Sequence, residues 1–204
     1  LQAYLEKHQR IEQRKLARQL GSVRCGKLLQ DWRTFLKQDF DAENWLGKAL
    51  LPVGEVANRR IWKSYRRVLK EGAVIDNDSP AAALHELRID CKKFRYLMEF
   101  FQSLYPGDAI HAAIRELKQL QDDLGDFQDL EVQAARLRGF AREFDPADPA
   151  TLPTVMAIGA LVADLLRHQQ AAHERFAGCF DAFDSAENRA RYTHLFKHKG
   201  ARRS

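Results

Sequence analysis

Apolar residues recur every three or four positions along nearly the whole chain, a period that predicts helices. Residues 3–20 form a first predicted helix, ending at Gly21-Ser22. Residues 23–37 form a second, with Leu28, Leu29, Trp32, Phe35 and Leu36 as its apolar side. Residues 40–54 read as a connector that packs through Trp45, Leu46 and Leu50, and residues 55–71 as a third helix stopped by Gly72. The run Asp76-Asn77-Asp78-Ser79-Pro80 predicts a turn, with Ser79 as N-cap and Pro80 as first residue of a fourth helix over 80–104. A fifth helix over 108–124 carries Ile110, Ile114, Leu117, Leu120 and Leu124 on one side and stops at Gly125. Asp126 then caps a sixth, reaching Phe144. A loop at 145–149 precedes a last long helix over 153–180, and a short one is expected after Asp184. No alternating run bounded by Asn-Gly or Asp-Gly competes, so the fold class expected is all-α, as one or more antiparallel helical bundles.

Composition narrows the function. The chain has 204 residues, 45% hydrophobic and 30% charged, which supports a packed core and excludes disorder. It holds no apolar run of about 18 residues, the length of a membrane span. Cys25, Cys91 and Cys179 are far apart and form no CxxC pair, so they read as buried free thiols and point to a reducing cytoplasm. No signal peptide is visible, although the chain starts at Leu1, inside a predicted helix.

Net charge is +5, but its placement is more informative. Residues 1–38 hold nine Lys/Arg against three Asp/Glu, and residues 54–72 hold six against two. Residues 120–135 hold five acids and no base. Basic elements with few local acids attract anions.

The segment 84–99 is the most informative. Leu84, Leu87, Cys91, Phe94, Met98 and Phe101 make an ordinary core face. Beside it runs a second stripe of His85, Arg88, Lys92, Arg95, Tyr96 and Glu99. Cations about 5 Å apart, one per turn, match a ligand of repeating negative charge. Arginine offers phosphate a planar fork, lysine a compact charge, and His85 and Tyr96 further donors. The bland alternative is a solvated basic face. Two further rows count against it: His111, Arg115, Lys118 and Asp122 in the fifth helix, and Arg59, Lys63, Arg66 and Lys70 in the third. Arg10, Arg14, Arg24 and Lys27 stand further back. If these faces converge, they form a basic groove.

At these residues the sequence resembles a known family. Leu84-His85-x-Leu87-Arg88-Ile89-x-x-Lys92-Lys93-x-Arg95-Tyr96-x-x-Glu99 is similar to the signature helix of conserved-histidine α-helical (CHAD) domains. Leu117-Lys118-x-Leu120-Gln121-Asp122-x-Leu124-Gly125-x-x-Gln128-Asp129-x-x-Val132 is similar to that family's second signature, in matching order and separation. The resemblance implies two pseudo-symmetric helical halves around a basic channel that binds inorganic polyphosphate, with no catalytic step. It implies frequent association with a triphosphate tunnel (CYTH) domain and localisation to polyphosphate granules. It carries over His85, Arg88, Lys92, Arg95, Tyr96 and Lys118 as binding positions. Lys93 matches the motif but points to another side. One signature helix is present rather than two. Residues 80–204 therefore resemble a complete second half, and residues 1–79 the closing helices of a first half plus a connector. Either the chain is a piece of a longer protein or it is a shortened member.

The resulting expectation is non-catalytic polyphosphate binding by His85, Arg88, Lys92, Arg95, Tyr96, Lys118, Arg24 and Lys63. No metal, cofactor or membrane is expected, and oligomerisation stays open. The alternatives are an RNA- or protein-binding helical module and a phosphate-processing enzyme. The last would show an ExExK or Walker motif, and neither occurs. Asp126 and Asp129 are accounted for by capping and dipole compensation.

Overall fold

A computed structural model of the chain describes residues 1–38, 51–145 and 147–197. Seven α-helices, joined by one 3-10 turn, account for the regular structure of these residues, and there is no strand among them. The chain divides into two compact units, Leu1–Leu50 and Leu51–Ser204.

The first unit contains α1 (Gln2–Leu20) and α2 (Val23–Leu36). Gly21-Ser22 separates two helices, because the Ser22 hydroxyl accepts from the Cys25 amide and caps α2. Neither helix has a buried residue. The expected apolar side of α2 (Leu28, Leu29, Trp32, Phe35 and Leu36) is exposed rather than packed, since two helices cannot close over both of their stripes. Trp32 and Phe35 stack on each other instead. The connector's Trp45, Leu46 and Leu50 lie outside the described residues, as do the basic residues Lys199, Arg202 and Arg203 near the end of the chain.

The second unit holds α3 (Val53–Gly72), α4 (Ala81–Phe101), α5 (Gly107–Ala141), α6 (Leu152–Phe183) and α7 (Ala186–Phe196). Consecutive long helices joined by short loops pack antiparallel, α3 on α4, α4 on α5 and α5 on α6. α7 closes the end of the bundle against α3 and α5. The core is aromatic at its centre. Tyr65 and Tyr192 stack at 4.3 Å between ring centroids, with Phe94 and Phe183 around them. Burying each large side chain contributes about 1.5–3 kcal/mol. The Tyr192 hydroxyl is satisfied by the Ala113 carbonyl at 2.8 Å. Where α3 ends, the Phe180 ring lies against the bare backbone of Gly72. A Cβ there would stand 2.0 Å from Phe180 Cε2, so glycine is required for this approach.

Two local expectations are corrected. Ser79 does not cap α4, and Pro80 is its N-cap rather than its first residue. The Ser79 hydroxyl is consumed inside the turn, where it donates to Asp76 Oδ1 (2.8 Å) and accepts from the Asp76 amide (3.0 Å). The second correction is larger. The expected stop at Gly125 does not occur, and α5 runs unbroken for 35 residues. Leu117, Leu120, Leu124, Phe127 and Ala134 continue one buried stripe through it. A glycine inside a helix costs about 1 kcal/mol, which is less than the burial of Phe127 alone is worth.

Candidate functional site

α4 is positioned from both sides. Its apolar face, Leu84, Leu87, Cys91, Phe94 and Met98, is fully buried. On one flank Asp90, 6% exposed, receives Arg67 of α3 at 2.7 Å and Lys93 at 3.3 Å. Of the basic row of α3, Arg59 is paired with Glu55 at 2.8 Å. With the core and Asp90 fixing the rotation of α4, the stripe of Arg88, Lys92, Arg95 and Tyr96 is turned toward α5.

There it meets Lys118, Gln121, Asp122, Gly125, Asp126 and Asp129, and the two stripes enclose a groove of about 440 Å³. Four cationic side chains thus share one cleft. Arg88, Lys92 and Lys118 make no ion pair among the described residues, whereas Arg95 donates from Nη1 to Glu99 Oε1 at 2.6 Å. Lys92 Nζ and Arg95 Cζ lie 5.8 and 5.1 Å from the centroid of the Tyr96 ring. Such contacts are worth about 0.5–1 kcal/mol at exposed sites. Tyr96 is half exposed and presents its ring at the rim.

The opposite wall is acidic, which the sequence reading missed. Asp126 and Asp129 are not at a helix start. They lie within α5 and line the groove with Asp122, so capping does not explain them. The signal was present: positions 118, 122, 125 and 129 are one face of a helix once α5 is continued through Gly125. The groove is therefore polarised, with cations along α4 and at Lys118 facing three carboxylates on α5. Among the described residues no group of three or more His, Cys, Asp or Glu is arranged to hold a metal ion.

The other expected positions lie elsewhere. His85, one turn before Arg88, does not line the groove. Its Nδ1 lies 2.5 Å from Gln128 Oε1 of α5, and because an amide oxygen accepts, Nδ1 is the donor. Gln128 in turn donates to Glu131 at 3.4 Å. Lys63 is exposed on α3 and is not part of the groove lining. Arg24 is exposed in the first unit, in a shallow cleft with Lys27 and Asp31. His111 and Arg115, on the same row as Lys118, are exposed outside the groove.

The described residues of the second unit thus form an all-helical bundle with a charged cleft between α4 and α5. The chain belongs to the CHAD domain family, whose model matches residues 1–138. Comparison with the curated proteins returned no match. No described helix is long and apolar enough to cross a membrane.

Proposed function

We propose that this chain binds inorganic polyphosphate in the α4–α5 groove and performs no reaction on it. The observation that supports this most is the convergence of Arg88, Lys92 and Lys118 on one cleft, with no carboxylate paired to any of them among the described residues. Unpaired cations held together repel one another, and a polyanion removes that cost. Arg88 and Lys92 are one turn apart, about 6 Å along the axis, so a chain of closely spaced phosphates laid along α4 meets both cations. The acidic wall confines the phosphates to the α4 side and the Lys118 end. The CHAD resemblance supports the same ligand. It also suggests a cytoplasmic protein working beside a triphosphate tunnel domain at polyphosphate granules.

RNA is the second reading, because Tyr96 presents a half-exposed ring between Lys92 and Arg95, where a base could stack. Competition between long-chain polyphosphate and single-stranded RNA of equal charge separates the two. The proposal expects polyphosphate to displace RNA; RNA displacing polyphosphate overturns it.

A further inference from the structure

The groove raises a question that its charges do not answer: why a 35-residue helix keeps a glycine near its middle, against helix propensity. Gly125 forms no turn. It lies within the groove lining, between Gln121 and Asp129 on the same face of α5. A Cβ built on Gly125 would have one neighbouring atom within 4 Å, Arg88 Nε at 3.9 Å. Arg88 Nε therefore lies beside the position in the α5 lining of the groove where no side chain stands. On either side of it the same wall carries Asp122, Asp126 and Asp129.

We infer that Gly125 is a positioning residue for Arg88. The lack of a side chain at this position keeps open the space beside Arg88 Nε and leaves the guanidinium fork free for a phosphate. This inference rests on the polyphosphate reading for its ligand, but not for the placement of Arg88. An alanine methyl fits, since 3.9 Å is ordinary van der Waals contact. A longer side chain projects from that Cβ into the space the arginine uses. It also occupies the floor where the helix and a phosphate would come closest.

The inference separates stability from binding, which a merely structural glycine would not do. Leucine, glutamine and alanine are all better helix formers than glycine. The experiment compares wild type with Gly125→Ala, Gly125→Leu and Gly125→Gln, with folding followed by circular dichroism. All three variants are expected to keep or raise the melting temperature. Gly125→Ala should lose less affinity for long-chain polyphosphate than either larger variant. Gly125→Leu and Gly125→Gln should lose affinity by about tenfold, the value of one charge-assisted hydrogen bond. The side-chain Nε–H resonance of Arg88, assigned by its loss in Arg88→Lys, should move in the Leu and Gln variants with no ligand present. Undiminished binding by Gly125→Leu and Gly125→Gln overturns the role of Gly125 and leaves the polyphosphate reading standing. Failure of wild type to bind polyphosphate ends that reading instead. The placement of Arg88 is then judged by its resonance alone, and an unmoved signal overturns it.

Discussion

His85 Nδ1 and Gln128 Oε1 lie 2.5 Å apart, joining residues 43 positions distant in the chain across the α4–α5 interface. Both signature segments meet in this bond, beside the groove rather than inside it. Its effect is to hold the two walls in register. The two side chains should therefore act as a unit. In a double-mutant cycle of His85→Ala and Gln128→Ala, unfolding by urea should show a coupling of about 0.5–1.5 kcal/mol. Additive losses would mean that the contact carries no weight.

Alkaline pH should unfold this protein through its tyrosines. Burial pushes Tyr65 and Tyr105 up to about 12 and holds Tyr192 well above its ordinary value. For Tyr65 the nearby Asp184 adds to the effect and Arg189 opposes it. In the unfolded chain these phenols ionise at about 10. Stability is thus intact below pH 10 and is lost as pH rises toward 12, because only the unfolded state releases the protons. The part of the tyrosinate absorbance that comes from Tyr65, Tyr105 and Tyr192 should rise in one step coincident with the loss of helical circular dichroism. Full ionisation of all five tyrosines with helicity retained would contradict the packing of this aromatic core.

The acidic wall makes a prediction of opposite sign to the usual loss on mutation. Asp122 and Asp126 line the groove that the phosphates are proposed to occupy. Neutralising either one should therefore strengthen binding. Asp122→Asn and Asp126→Asn should each tighten polyphosphate affinity by roughly two- to threefold at low salt, and the gain should shrink as salt rises. Titration of fluorescent polyphosphate at two ionic strengths measures this. A loss of affinity would mean that these carboxylates engage the ligand.

Much of the fold was legible because burial here follows a single period. The core face of α4 and its cationic stripe were read directly from three- and four-residue spacing. A groove was expected only if several cationic rows converged on the stripe, and of those rows Lys118 is the cation that joins it. The rest failed where a local signal was overridden by packing. Gly125 reads as a stop by propensity, yet Phe127 and Ala134 bury the next turns of the same helix. That one reading hid the acidic wall, because it assigned Asp126 and Asp129 to a helix start. Ser79 reads as a cap, yet its hydroxyl closes the Asp76 turn. Lys63 and Arg24 could not be placed at all from sequence, since cationic rows on separate helices carry no record of which faces meet.

The central claim is that Arg88 and Lys92 grip a polyanion from one wall of the α4–α5 groove. Isothermal titration of long-chain polyphosphate into wild type and the Arg88→Ala/Lys92→Ala double variant tests it most directly. The account predicts a loss of at least about tenfold in affinity, a shallower dependence on salt as two phosphate contacts disappear, and an unchanged or higher melting temperature. Equal binding by the two proteins at matched salt would contradict it.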